Sequence, residues 1–215
     1  MTLWAVFNGM PASAEGPIYV SYADVAASDV PSITLLKVIA RDGKSKRYED
    51  LLPLDGGTVG IAHFAVGGLA PLYRHMDTKK YFNKSPEEMI ASFSSGCRPQ
   101  GQSGHDTGWG CFSKPWWHDG MKAFLASEES QRVQNEAWTE MMQPVIEQAL
   151  SNGWKDARSI AIALGVANSI GRGGFASLAK IHHWKAEEVL AAYVGTNEHR
   201  RRRQQALNEN FPKPQ

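Results

Sequence analysis

The sequence predicts a mainly α-helical fold that carries a small β-hairpin region, and three patterns support this prediction. Apolar residues recur at helical spacing over residues 130–150, which predicts a long amphipathic helix. Residues 158–170 are apolar on almost all sides, which predicts a central helix buried within the domain. An Asp55-Gly56-Gly57 turn precedes a β-rich run over residues 58–64, and this order predicts a hairpin.

The size and composition of the chain predict one domain over residues 1–215. Its 215 residues are 42% hydrophobic, which suffices for a sizeable core. We expect an irregular lead over residues 1–31 and a basic C-terminal tail over residues 196–215. The net charge of +1 provides no global field that favours nucleic acid or membrane, and we expect no nucleic-acid partner and no stable membrane insertion. No CxxC pair or His/Cys cluster indicates a metal, and no cofactor is expected.

The first predicted helix covers residues 33–40, where the apolar positions make a broad face at helical spacing. Ser32 is its expected N-cap. At the other end Asp42 supplies a carboxylate, and Gly43 is placed to terminate the helix. A polar run containing Glu49 then leads into the hairpin.

Two shorter helices are expected after the hairpin. The first covers residues 67–76. The second begins at Ser85, because a capping serine is followed there by Pro86 and two glutamates at the positive end of the helix dipole. We expect this second helix to run to about Phe93.

A Gly- and Ser-rich loop is expected over residues 94–117, and a loop of this length inside a compact domain commonly has a function. It contains Trp109, Trp116 and Trp117. Their aromatic faces suit the C–H faces of sugar rings, although packing in the core is the commoner role of tryptophan. The loop could therefore form a wall of a substrate groove, with core packing as the alternative role of its tryptophans.

The second half of the chain predicts helices over residues 120–127, 130–150, 156–170 and 185–194. Pro144 either kinks the second of these or starts a new segment. Asn168 lies near the end of the third, where it either points into a cleft or caps the helix. The basic run over residues 199–203 is typical of a solvated face on a last helix, with attraction to anionic polymers as the functional alternative.

Three motifs follow one another in the first third of the chain: Asp42-Gly43, Tyr48-Glu49-Asp50 and Thr58-Val59-Gly60-Ile61-Ala62-His63. In this order they resemble the lysozyme-like superfamily, in which phage-type lysozymes have a helix ending in an acid and glycine, a Tyr-x-Asp, and a Thr-Ile-Gly-Ile-Gly-His strand. The acidic hairpin followed by Gly67-Gly68-Leu69 is similar to the chitosanases of the same superfamily. The resemblance covers roughly residues 32–174 and is dense only over its opening stretch.

The resemblance implies a lysozyme-like fold and a glycoside hydrolase that cleaves β-1,4 bonds of an amino-sugar polymer. Asp42 stands at the position of the general acid. Asp50 or Asp55 would be the base, and Thr58 would help to place the attacking water. Glu49 is the reserve for either role.

The substrate is expected to meet residues from several segments: His63, Trp109, Trp116, Trp117 and Asn168. We favour the glycan strands of bacterial peptidoglycan over chitosan, because chitosan is a polycation whose grooves usually carry an acidic excess. This chain has 22 acidic against 23 basic residues.

The superfamily's general acid is almost always glutamate, whereas this sequence has Asp42. Aspartate is one methylene shorter, and a misplacement of about 1 Å can cost ~10²-fold in rate. Three alternatives follow. The backbone compensates, Glu49 acts instead, or the chain is a non-catalytic glycan-binding module.

No secretory signal pattern is recognisable at the start of the sequence, so a wall-degrading enzyme would need export, injection or lysis to leave the cytoplasm and act in the periplasm or cell wall. A phage endolysin and an injected antibacterial toxin both fit this expectation. For a toxin, a specific immunity protein would plug the groove. Cys97 and Cys111 form a disulfide in an oxidising compartment or remain thiols in a reducing one, and the sequence leaves both open.

Overall fold

The computed structural model describes residues 30–40, 47–52, 58–92 and 114–213. This part of the chain is mainly helical, with a two-stranded antiparallel sheet as its β-structure. The predicted combination of helices with a small hairpin is therefore confirmed. None of the helices in these ranges has the length and apolarity that crossing a bilayer requires.

The elements are numbered here in chain order. The helices are α1 Val30–Ile33, α2 Leu69–His75, α3 Thr78–Phe82, α4 Pro86–Ala91, α5 Pro115–Leu125, α6 Ser130–Ser151, α7 Ala157–Ile181, α8 Ala186–Val194 and α9 Glu198–Asn210. Helix α1 continues as a π-helix over Thr34–Ile39, and a 3-10 turn at Val66–Gly68 precedes α2. The strands are β1 Leu51–Leu52 and β2 Thr58–Val59.

Helix α7 lies at the centre of the core, where it packs against α6, α8 and the π-helix. Asp156 caps its first turn, accepting hydrogen bonds from the Ser159 backbone N–H at 2.9 Å and from the Ser159 hydroxyl at 2.6 Å. Residues 160–167 are all buried, which confirms the prediction of a central helix. The predicted end near Ile170 coincides with a break at Gly171 (φ 73°, ψ 164°), beyond which helical structure resumes.

The first helix differs from its prediction in where it begins. Helical structure is already present at Val30, so Ser32 lies inside the first turn and the predicted cap there is wrong. The following turns are π-helical, and the Ala40 N–H donates to the Leu35 carbonyl five residues back. Such turns widen a helix and occur frequently at functional sites. Asp42 and Gly43 lie outside the described residues.

The hairpin is shorter than the sequence predicts. Its strands pair antiparallel with Leu51 opposite Val59, so the chain does reverse between them; the predicted turn at Asp55 to Gly57 itself lies outside the described residues. The predicted strand over residues 58–64 is wrong beyond Val59. Val59 and Phe64 exchange two backbone hydrogen bonds of 2.9 Å, so the four residues between them form a second tight loop.

The start of α4 confirms a prediction made from local sequence. Ser85 accepts a hydrogen bond from the Glu88 N–H at 3.2 Å, and the Glu88 carboxylate accepts one from the Ser85 N–H at 2.6 Å. This reciprocal capping box satisfies two N–H groups that the first helical turn leaves unpaired.

Helix α5 begins earlier than the predicted residue 120, at Pro115. Proline suits this first position because it lacks the N–H that would be unpaired there. Gly120 allows α5 to approach α3 closely, since a Cβ at this residue would lie 2.5 Å from the Phe82 ring and 2.6 Å from the Tyr81 carbonyl oxygen. Helix α6 continues through Pro144 as one helix.

Helix α9 is part of the core. Its basic run was predicted to be solvated, and this holds for only some of its residues. Arg203 is 5% exposed and donates from Nη1 to the Gly165 carbonyl of α7 at 2.8 Å. Arg200 donates to the Tyr193 carbonyl at 2.7 Å and stacks on the Tyr193 ring. Arg201 and Arg202 are exposed, and Arg202 lies 3.4 Å from Glu198.

Candidate functional site

The hairpin is joined to α6 by one fully buried side chain, Gln134. Its Oε1 accepts a hydrogen bond from the Ile61 N–H at 3.2 Å, and its Nε2 donates to the Tyr48 carbonyl at 2.9 Å. Nε2 also donates to the Ser130 hydroxyl, one turn earlier on α6, at 2.9 Å. One carboxamide therefore holds the segment before β1 and the loop after β2.

The close approach of Gln134 requires a glycine in the hairpin loop. Gly60 has φ +64°, and a Cβ at this position would lie 1.8 Å from Gln134 Oε1. The Gly60 N–H donates to the Asp50 carbonyl at 2.8 Å, which ties the loop to the segment before β1. Gly60 thus lies where both parts of the hairpin meet α6.

An open groove lies beside this junction, between α2 and α6. It has a volume of about 440 Å³ and is lined by five polar residues: His75, Asn135, Glu136, Thr139 and Glu140. We call it the polar groove. The Tyr48 hydroxyl donates to Asn135 Oδ1 at 2.9 Å, so the residue that precedes Glu49 contacts the groove wall directly.

The two glutamates of the polar groove are paired with basic side chains. His75 Nε2 lies 2.8 Å from Glu140 Oε2, and His75 Nδ1 lies 3.5 Å from Glu136 Oε2. Arg74 Nε donates to Glu140 at 3.0 Å, and Arg132 Nη1 contacts both oxygens of Glu136 at 2.8 Å. The acids are therefore largely neutralised, and the groove offers both donors and acceptors.

The charge state of Glu140 follows from its partners. The hydrogen bond from Arg74 lowers the pKa of the Glu140 carboxyl, burial opposes this shift, and His75 adds to it. Glu140 is consequently a carboxylate at neutral pH, which suits it to accept hydrogen bonds from sugar hydroxyls or amides. The same partners make it a poor proton donor.

The two acids of the hairpin that the structure describes have different surroundings. Glu49 is exposed to solvent. The Asp50 side chain is 15% exposed, and it is also engaged by Arg47: its Oδ2 accepts the Arg47 N–H at 3.1 Å and its Oδ1 lies 3.3 Å from Arg47 Nη2. Asp42 and Asp55 lie outside the described residues. Among the described hairpin acids, Glu49 is therefore the one available to a ligand.

Two further residues of the motif lie in the hairpin. Thr58 is 2% exposed, so its hydroxyl faces the interior of the protein in this structure. His63 ends the second loop with φ +57°, is half-buried, and donates its N–H to the Gly60 carbonyl at 3.2 Å. The loop geometry thus brings His63 back towards Gly60.

The described tryptophans of the predicted loop lie on α5, away from the polar groove. Trp117 is fully buried, and its Nε1 donates to the Tyr73 hydroxyl at 2.7 Å. Trp116 is 39% exposed and packs edge-on against Phe82. Tyr73 and His75 are two residues apart on α2, about 200° around the helix, so α5 and the groove meet different sides of α2.

The remaining two predicted substrate contacts, Trp109 and Asn168, are not among the described residues that line the polar groove. Trp109 lies outside the described residues. Asn168 is half-buried on α7, three residues before the break at Gly171, and does not line the polar groove. Trp116, Trp117 and Asn168 are therefore not among the residues that the structure gathers around the groove.

Sequence patterns did not single out His75, Glu136 and Glu140, nor the buried Gln134. The available signal was the i,i+4 pair of glutamates on α6 beside Asn135 and Thr139, which makes one polar stripe. Such a stripe is also the normal solvated face of a surface helix, so the sequence provides no reason to single it out.

The described residues contain no group of three or more His, Cys, Asp or Glu side chains suited to hold a metal ion. Comparisons with protein-family models, curated proteins and solved structures gave no significant match to this chain.

Proposed function

We propose that the protein is a lysozyme-like glycoside hydrolase that cleaves β-1,4 bonds in the glycan strands of bacterial peptidoglycan. The observation that carries the proposal is the position of the hairpin. Tyr48 and Gln134 hold its acidic segment against α6, beside an open groove lined with hydrogen-bonding side chains. Such a groove suits a polysaccharide, whose hydroxyl and amide groups need both donors and acceptors.

The proposed mechanism uses one acid to protonate the glycosidic oxygen and a second carboxylate to activate water or stabilise the developing charge. Asp42 takes the first role through the motif resemblance. Glu49 is our preferred second carboxylate, because it is exposed whereas Asp50 is engaged by Arg47. Glu140 and Asn135 would bind sugar groups along the polar groove.

Peptidoglycan is favoured over chitosan by the charge balance of the groove. Its glutamates are engaged by Arg74, His75 and Arg132, so little negative charge remains for a polycation. Peptidoglycan strands instead present N-acetyl groups and peptide carboxylates, which such a mixed lining accommodates.

The test is the release of reducing ends from purified sacculi. We expect activity in the wild type, and losses of at least ~10²-fold in folded Asp42→Asn and Glu49→Gln variants. Glu198→Gln, on the distant helix α9, is the matched control and should retain wild-type rates. Wild-type rates in both site variants would exclude the two carboxylates from the mechanism.

Two other outcomes would redirect the proposal. Faster cleavage of chitosan than of sacculi would make the chitosanase resemblance the better guide to substrate. Binding to sacculi without cleavage of either polymer would identify a glycan-binding module that lacks catalysis. An injected antibacterial role would in addition require an immunity partner, which co-purification from the producing cell would reveal.

A further inference from the structure

We propose that Gln134 is a positioning residue that sets the backbone segment carrying Glu49 and Asp50 beside the polar groove. This inference rests on the proposed hydrolysis. Gln134 is fully buried, so it cannot reach a substrate itself. It lies on α6 next to Asn135 and one turn or less from Glu136, which both line the groove.

The hydrogen bonds of Gln134 reach both sides of the hairpin. The Tyr48 carbonyl that accepts from Nε2 directly precedes Glu49, and the Ile61 N–H that donates to Oε1 lies in the loop ending at His63. Both partners are backbone groups, so the side chain controls the path of the chain and not the rotamer of a neighbour. A shift at this one point would move the acidic segment and the loop together.

The orientation of the carboxamide is determined by these partners. A backbone N–H only donates and a backbone carbonyl only accepts, so oxygen must face Ile61 and nitrogen must face Tyr48. A residue with only acceptors or with no polar atoms cannot make both bonds. Gly60 removes the Cβ that would otherwise collide with the carboxamide, which shows that the loop is shaped around this side chain.

Two substitutions separate positioning from general stability. Gln134→Met keeps a similar volume but loses both hydrogen bonds. Gln134→Glu loses the bond to the Tyr48 carbonyl while the introduced group is ionised, and regains it when the group is protonated, because a carboxylic acid both donates and accepts. Burial raises the pKa of the introduced carboxyl above its ordinary range. Gln143→Met, at a half-buried position of α6 whose carboxamide donates to Glu147 of the same helix, is the matched control.

We expect Gln134→Met to lower kcat on sacculus fragments at least ~10-fold with KM changed less than ~3-fold, since a misplacement near 1 Å can cost ~10²-fold in rate. For Gln134→Glu, the ratio of its kcat to that of the wild type should rise as pH falls. The corresponding ratio for Gln134→Met should stay flat with pH. Gln143→Met should match the wild type throughout.

Hydrogen exchange supplies a readout that does not depend on activity. In Gln134→Met the amide of Ile61 should exchange at least ~10-fold faster, while amides of α7 keep their protection. Equal loss of protection in α7, or an unchanged Ile61 amide, would overturn the inference. If the wild type cleaves no glycan but the Ile61 amide responds as expected, the proposed function fails and the control of the hairpin by Gln134 stands.

Discussion

Gly60 combines two constraints that no other residue type satisfies at this position. Its φ of +64° lies in the left-handed region, which costs a residue with a Cβ about 1–2 kcal/mol. A Cβ would in addition lie 1.8 Å from Gln134 Oε1, so the buried carboxamide would have to move. Because that carboxamide holds both sides of the hairpin, the displacement would not remain local to the loop.

Gly60→Ala should therefore lower the free energy of unfolding by about 2–5 kcal/mol, the sum of left-handed strain and overpacking. Urea unfolding followed by circular dichroism measures this change. Gly67→Ala is the matched control, because a Cβ there meets no atom within 4 Å and the residue does not have a positive φ. Its unfolding free energy should change by less than about 0.5 kcal/mol, and equal effects of the two variants would contradict the assigned role of Gly60.

Helices α7, α8 and α9 are joined by one buried side chain, Arg158. Its guanidinium pairs with Glu187 of α8, with Nη2 3.1 Å from Oε2, and donates to Asn208 Oδ1 of α9 at 2.9 Å. It also donates to the Phe211 carbonyl just after α9. A buried arginine needs such partners, because an unpaired charge in the interior is strongly unfavourable.

This junction predicts a pH-dependent contribution to stability. The hydrogen bond from Arg158 lowers the pKa of Glu187 below its ordinary value of 4.5, and Lys213 adds to the shift. A carboxyl with a lowered folded pKa stabilises the fold above its unfolded pKa, and this contribution is lost as pH falls through the folded pKa.

Glu187→Gln should therefore cost about 1 kcal/mol of unfolding free energy at pH 7, a modest value because Glu187 is partly exposed. The difference from the wild type should begin to shrink below about pH 4.5, where the carboxyl of the unfolded chain becomes protonated, and it should disappear as pH falls through the lower folded pKa. Denaturant unfolding at several pH values measures this, with Glu198→Gln as the control. A difference that grows on acidification would contradict the assigned pairing.

Helix α9 covers one side of the core and contacts the π-helix near the start of the described chain. Helix α9 packs against the π-helix and α7, and it buries Arg203, Ala206 and Leu207. Removal of the chain beyond residue 196 would thus expose the core. Such a truncation therefore cannot test whether the basic run of α9 attracts anionic polymers. The exposed Arg201 is the suitable residue for that purpose.

Leu207→Ala should lower the free energy of unfolding by about 2–5 kcal/mol, the usual cost of a cavity at a fully buried leucine. Arg201→Ala, on the exposed side of the same helix, should change it by less than about 0.5 kcal/mol. Urea unfolding of the two variants provides the comparison. A small effect of Leu207→Ala would show that α9 contributes little to the core.

Local sequence patterns predicted the elements whose stability is decided within a few residues. The capping box at Ser85 needs only side chains and backbone groups three positions apart, so the motif identified the start of α4. The apolar composition of residues 158–170 likewise predicted burial at the centre, because such a helix cannot be solvated on any side, and residues 160–167 are buried.

The sequence alone thus determined the class of fold, most of its helices and the presence of a hairpin, whereas tertiary contacts decided the candidate site. The run over residues 58–64 has strand propensity, yet it turns after Val59 because Gln134, more than 70 residues later, bonds the Ile61 N–H. Arg203 lies in a charged run, yet it is buried because the Gly165 carbonyl accepts its guanidinium. Glu136 and Glu140 became groove residues only through packing against α2. Contacts of such long sequence separation leave no periodic signal, since they depend on how whole helices pack.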